Sequence, residues 1–550
     1  MNPSTTLSAQ APPEANSAQP ACTDYFSTAR LRSELRSRAL TGVSVTLIAQ
    51  ACVFVVSTVG TIVLARLLTP HDFGLVAMVL AFSFLLQNFG LNGFVEAIIQ
   101  RENIDHKQVS TLWWINVGIN LVLALLFWAL APAIAWFYGE PLLKPIVAVM
   151  AVSILFGGLS TQHQALLRRN MEFVRIAGCD IGATLASLVI AILLASWGWG
   201  YWALVARWVA VPMVATAIAW MLCGWRPGPP ARRTGVRPML RFAFHTYGNF
   251  VLFYFCRTAD KILVGRFHGG QALGSYDRAY QLSMMLPNQL LSPLNSVVMP
   301  AFSRLASDPA RYRQTYLTLL SMLALVCMPL SAVLALTGRD VILVLLGPQW
   351  NSAGQIFAMF GLSIGILMLY CTHSWLHLSL GTPDRWLRWA VIAFIVTACL
   401  FVTGLPFGPF GVAAGYSASF YILTLPALWY AGRSIDLKVS AVLGSVWKSC
   451  LSAIAGALVS WSVVSRFDTT AEAFGVAGAL ARIAASFALC TSVYLVAIVV
   501  LHRGITPISQ FVRLVYDMIP RVSSPNTTAS DSYPPIPLSA DENLADAGGV

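Results

Sequence analysis

The sequence predicts an all-α integral membrane protein of about fourteen transmembrane helices, and three observations predict it. Hydrophobic residues fill 57% of the 550 positions and charged residues only 11%, too little polar surface to coat a water-soluble globule of this size. The apolar residues come in runs of about 20, the length that crosses a bilayer as a helix, where a soluble core would show shorter periodic patterns. The basic residues are sorted as well. With the N-terminus placed in the cytoplasm, 25 of the 35 Lys and Arg residues fall in cytoplasmic connectors and tails and 7 on the opposite side, the bias expected of an oriented multispanning chain. The net charge of +12 therefore reports topology, and no nucleic acid partner is implied.

Residues 1–40 are rich in Ser, Ala, Pro and Gln and have no apolar segment with a cleavage site, so they are expected to form a disordered cytoplasmic tail. Six spans follow, near 43–65, 73–99, 111–136, 142–161, 176–197 and 200–223, within an N-lobe assigned to 41–225. The Pro- and Arg-rich stretch 226–239 then interrupts the pattern as a cytoplasmic linker would. Six more spans, near 240–265, 272–302, 314–336, 352–379, 386–404 and 410–431, make a C-lobe assigned to 240–432. Two C-terminal helices, near 442–464 and 478–501, lie within 433–503, and 504–550 is a polar cytoplasmic tail. The ten cysteines form no C-x-x-C pair, so neither a disulfide framework nor a zinc site is implied.

The two lobes read as copies. Ile62, Arg66 and Gly74 recur as Ile262, Arg266 and Gly274 at a constant offset of 200 residues, and the same offset carries Asn88 onto Asn288. Parallel six-helix repeats are one way to build a transporter around a central cleft.

The seventh span holds Arg257, Asp260 and Lys261, three and four residues apart and so on one helix face. Ionised groups at membrane depth usually face a cavity or a partner. Two cations one turn apart suit a diphosphate, with Asp260 offsetting one of them; the alternative is a structural ion pair that docks this helix on its neighbour. The second span carries Asn88, Asn92 and Glu96 at four-residue spacing, and the eighth carries Asn288 and Asn295. Paired polar stripes would line a cleft able to bind sugar hydroxyls, or would hydrogen-bond between helices. Glu96 and Asp180 are isolated acids that could couple transport to H⁺ or Na⁺, or be paired or solvated. His373 and His377 have metal-like spacing but no third ligand, so no metal is expected. There is no phosphate-binding Gly-rich loop and no G-x-S-x-G elbow, which argues against an enzyme and against direct coupling to ATP.

In the segments Leu64-Ala-Arg-Leu-Leu-Thr-Pro-His-Asp-Phe-Gly74 and Asp260-Lys-Ile-Leu-Val-Gly-Arg-Phe-His-Gly-Gly-Gln-Ala-Leu-Gly-Ser-Tyr-Asp-Arg-Ala-Tyr280, the chain resembles the polysaccharide (Wzx-like) flippases of the multidrug/oligosaccharidyl-lipid/polysaccharide exporter superfamily. His71 stands where an acid is often found. The resemblance runs from about residue 40 to 500 and implies a V-shaped pair of six-helix lobes, alternating access, and a lipid-linked oligosaccharide on undecaprenyl diphosphate at the bacterial inner membrane. It also implies membrane lipid, a polysaccharide polymerase and export machinery as partners. On that basis Arg257 and Lys261 would take the diphosphate. The competing readings are a drug/cation antiporter of the same superfamily and, from a different class, a membrane-embedded polymerase or glycosyltransferase.

Overall fold

The computed structural model describes residues 29–100, 104–231, 237–467, 474–505 and 509, and every regular element among them is helical. The chain divides into one compact body, Met1–Leu501, and a terminal segment, His502–Val550. The first lobe contains α1 (Ala29–Leu67), α2 (Pro70–Gln100), α3 (His106–Ala129), α4 (Ala131–Tyr138), α5 (Leu143–Arg169), α6 (Phe173–Ser196) and α7 (Tyr201–Leu222). The second contains α8 (Arg237–Leu305), α9 (Pro309–Leu346), α10 (Asn351–Cys371), α11 (His373–Ser379), α12 (Pro383–Gly404) and α13 (Gly408–Ala431), followed by α14 (Val439–Val464) and α15 (Gly475–His502).

Local chemistry sets the breaks. Thr69 caps α2, with its hydroxyl taking the Asp72 N–H at 3.3 Å and the Asp72 carboxylate taking the Thr69 N–H at 2.9 Å, and Pro70 occupies the first helical position. α8 is two antiparallel arms joined at Gly269, whose φ of 77° and ψ of −176° are open to glycine and costly for a residue with a Cβ. α1 starts at Ala29, inside the stretch expected to be a tail. The segment from Ala29 to Leu40 is Pro-free and built from Arg, Leu, Ala, Glu and Ser, which favour helix more than the Pro- and Ser-rich residues before it.

Eleven segments among the described residues are long and apolar enough to cross a membrane. This is fewer than the fourteen expected, for two reasons. The run Pro383–Ile435 counts once although it holds both α12 and α13, and neither arm of α8 is among the eleven. Between Arg257 and Arg278 α8 carries Asp260, Lys261, Arg266 and Asp277 as well, more charge than a simple lipid-facing span tolerates, and the rest of its second arm is made less apolar by Gln281, Asn288, Gln289 and Asn295.

The two lobes meet through α2 and α8. Two faces of the body can be defined by their connections: a turn face, carrying the α1–α2 turn and the Gly269 kink, and a connector face, carrying the α7–α8 connector. The described part of that connector is tied to α3, because Trp114 donates to the Gly228 carbonyl at 2.9 Å and the Gly228 and Ala231 N–H groups donate to Ser110 and Thr111 at 3.0 and 3.1 Å. α15 is held to α9 by the ion pair Arg482–Asp340 and by Tyr494, which donates to the Leu325 carbonyl at 2.8 Å.

Candidate functional site: the interlobe cleft

On the turn face the lobes touch through equivalent positions. A Cβ on Gly74 would stand 1.7 Å from the Gly270 carbonyl oxygen, and a Cβ on Gly274 would stand 1.8 Å from the Pro70 carbonyl oxygen. Removing the 200-residue offset turns one contact into the other with the lobes exchanged, the reciprocity that a two-fold axis produces. Beside it, each lobe caps a helix end of the other. Arg66 donates from Nε to Leu345 at 3.2 Å and from Nη2 to Val344, both at the end of α9. Gln349 and Trp350 donate to Ala65, at the end of α1, at 2.7 and 2.8 Å. These are carbonyls that a helix terminus leaves without internal partners. Deeper in, Tyr254 donates to Ala81 at 2.9 Å and its ring stacks on Phe84 at 5.7 Å.

Past that aromatic pair the second arm of α8 is open. Asn288, Ser292 and Asn295 are exposed, together with Leu290 and Val297. The lobes are thus in contact on the turn face, and the α8 polar stripe is exposed beyond that contact. Asn295 also accepts a hydrogen bond from Trp375. The side chains of Arg257, Asn88, Asn92 and Glu96 lie outside the described residues.

The charges of α8 brace its two arms. Lys261 Nζ lies 2.8 Å from Asp277 Oδ1 and 4.8 Å from the centre of the Tyr280 ring, and its side chain keeps 21% exposure. Asp277 Oδ2 in turn accepts from Arg278 at 2.9 Å and Gln281 at 2.7 Å. Arg278 lies over the Phe73 ring of the first lobe at 4.8 Å, so the network reaches across the lobe boundary. Asp260, expected to offset a neighbouring cation, is buried, accepts from Tyr276 at 2.8 Å and acts on Lys261 through its charge. Asp277, the acid that meets Lys261, was not singled out in the sequence because its partner lies on the other arm.

Each lobe also has an open cavity between equivalent helices. The first-lobe cavity, about 620 Å³, lies among α1, α2, α5, α6 and α7, and Asp180 lines it. The second-lobe cavity, about 250 Å³, lies among α8, α10, α11, α12 and α13, walled by aromatic rings with Asp260 and His373 between them. His373 bonds the Tyr370 carbonyl at 2.6 Å and His377 bonds Thr382 at 3.2 Å, and no group of three or more metal-binding side chains occurs among the described residues.

Two repeat-related helical lobes around a cleft closed at one end define a multi-pass membrane transporter. The chain belongs to the family described as polysaccharide biosynthesis protein, which matches residues 63–355. It is 24% identical over 432 residues to the lipopolysaccharide biosynthesis protein WzxC of Escherichia coli K12, covering 75% of this chain and 83% of that protein. It is 26% identical over 336 residues to the succinoglycan biosynthesis transport protein ExoT of Rhizobium meliloti, covering 61% of this chain and 68% of that protein. Its fold is that of the lipid II flippase MurJ in an inward closed conformation, with a TM-score of 0.64 and 17% identity over 83% of this chain and 99% of that one.

Proposed function

We propose that this chain moves oligosaccharide repeat units carried on undecaprenyl diphosphate across the bacterial inner membrane by alternating access, for exopolysaccharide or lipopolysaccharide biosynthesis. The observation that carries this reading is the cleft between two repeat-related lobes, sealed by reciprocal contacts at Gly74 and Gly274 and exposing Asn288 and Asn295 at its other end. Such a cleft inverts when the seal opens and the opposite end closes.

In this reading the connector face is cytoplasmic, as the distribution of Lys and Arg supports, and both termini lie there. The diphosphate is held by Arg257 and Lys261, the latter presented at the lobe boundary by Asp277. The glycan lies along the Asn stripes, and the lipid tail stays in the bilayer between the lobes. H⁺ or Na⁺ entering at Asp180 or Glu96 would drive the cycle, and a polymerase and export machinery would consume the product.

The test is a deletion strain complemented with the double variant Arg257→Gln/Lys261→Gln. Surface polysaccharide should be lost and the lipid-linked unit should accumulate in the inner leaflet, with the variant present at normal level. Normal export would refute the assignment. Accumulation in the outer leaflet would point to a polymerase, and unchanged polysaccharide with lost drug resistance to an antiporter.

A further inference from the structure

The first-lobe cavity has a chemistry that the cleft does not account for. Its second-lobe counterpart occupies the equivalent place in the repeat but is narrowed by aromatic rings such as Tyr280, Trp389 and Tyr416 to about 250 Å³. The first-lobe cavity keeps about 620 Å³, within the roughly 300–1,000 Å³ of pockets that enclose small ligands. Three carboxamides, Gln50, Gln87 and Gln164, reach it from three different helices. Gln87 is oriented by donating from Nε2 to Ser83 and Ser153 at 2.7 and 2.9 Å, which turns its acceptor oxygen free of those bonds. Gln50 and Gln164 have no hydrogen-bond partner among the described residues, so their amides keep both donor and acceptor capacity. Ser57, Ser160 and Thr184 add hydroxyls, and the half-exposed Trp208 adds a flat amphipathic wall.

Charge narrows the ligand. No Lys or Arg lines the cavity among the described residues, and its one ionisable group is the carboxylate of Asp180. A diphosphate or an acidic sugar would meet a like charge with no cation among the lining residues to bind it, since Arg168 acts on Asp180 from outside the cavity wall. A polyhydroxylated uncharged ring needs many donors and acceptors at once and a flat apolar face, which carboxamides, hydroxyls and an indole supply together.

We propose that this cavity is a saccharide subsite that takes an uncharged hexose or N-acetylhexosamine of the transported glycan. The proposal rests on the transport reading above and adds a place for part of the substrate away from the cationic arm of α8.

The full-length protein in lipid nanodiscs is probed by saturation-transfer NMR with methyl glucoside, methyl galactoside and methyl N-acetylglucosaminide. Methyl glucuronoside and tetraphenylphosphonium serve as charged comparisons. Uncharged glycosides should receive saturation, methyl glucuronoside should not, and Gln50→Leu/Gln164→Leu should bind about thirtyfold more weakly. Thr403→Ala, an exposed position on α12 outside both the cavity and the cleft, should bind the glycosides as the parent does. Ala215→Trp, which fills the cavity and removes no polar group, should abolish binding and decides the matter if the glutamine variant is unstable. Equal transfer in both cavity variants, transfer to none of the uncharged glycosides, or binding of tetraphenylphosphonium alone would overturn the subsite. A chain that exports polysaccharide but binds no glycoside sinks the subsite only, whereas one that binds glycosides through this cavity but fails the leaflet assay sinks the transport reading only.

Discussion

Lys261 and Asp277 form an ion pair at 2.8 Å between the two arms of α8, with the acid 5% and the lysine 21% exposed. The pair has unequal halves. Asp277 has a second cation, Arg278, at 2.9 Å, whereas Lys261 has no other ion pair among the described residues. Asp277→Leu therefore leaves Arg278 without its acid and Lys261 with only the charge of Asp260 nearby, and should cost about 3 kcal/mol, while Lys261→Met leaves Asp277 still paired and should cost about half as much. Thermal unfolding in detergent should rank them in that order, with Lys261→Met/Asp277→Leu less destabilised than Asp277→Leu. Export by the double variant should still be absent, since the diphosphate has lost a cation. Equal unfolding temperatures for both single variants would remove the brace.

The seal at Gly74 and Gly274 predicts matching defects. A side chain at either site runs into backbone, which cannot rotate away as a side-chain tip can. Gly74→Val and Gly274→Val should each cost about 1–3 kcal/mol of the closed arrangement and speed amide hydrogen exchange at 64–68 and 344–350. Exchange unchanged in one variant and raised in the other would contradict the two-fold relation.

The reciprocal caps can be graded. Trp350→Phe removes one neutral hydrogen bond, to Ala65, and should cost about 1 kcal/mol. Arg66→Met removes two charge-assisted bonds to α9 and should cost about 1.5–3 kcal/mol. Labelling of turn-face residues by an impermeant reagent should rise more in Arg66→Met than in Trp350→Phe.

The two asparagines of α8 should separate binding from packing. Asn288 is exposed, so Asn288→Leu should lower export and leave the unfolding temperature unchanged within error. Asn295 accepts from Trp375, so Asn295→Leu should lower both, stability by about 1–2 kcal/mol. A lower unfolding temperature for Asn288→Leu would make it a packing residue.

Arg482 and Asp340 join α15 to α9, with side-chain exposures of 15% and 13%. Arg482→Leu should remove the cation of this partly buried pair and cost about 2–3 kcal/mol, seen as faster hydrogen exchange along α15. Export should fall only in proportion to protein level, because neither residue lines the cleft.

Helix positions were legible because each span is a local property. Pro70, Pro309 and Pro383 open helices at the places where the apolar runs begin, and α13 and α14 lie within a few residues of their expected ends. The repeat was legible through Ile62, Arg66 and Gly74. The pairing of charges was not. Adjacency suggested Asp260 as the offset for the cations, and its charge does act on Lys261, but successive helical residues point about 100° apart, so its hydrogen bond goes to Tyr276 and the ion pair of Lys261 to Asp277. Gln50, Gln87 and Gln164 each sit singly in separate apolar runs and form no stripe, so nothing local marked them as one group.

Composition and run length alone determined that the chain lives in a bilayer, because membrane insertion depends on segment hydrophobicity read one helix at a time; the residues that recur at the 200-residue offset pointed to two copies. Only the tertiary structure decided where the lobes close on each other, which acid pairs with Lys261, and which cavity gathers Gln50, Gln87 and Gln164. Each of those depends on residues brought together from distant positions, and contact at a distance leaves no period in the sequence.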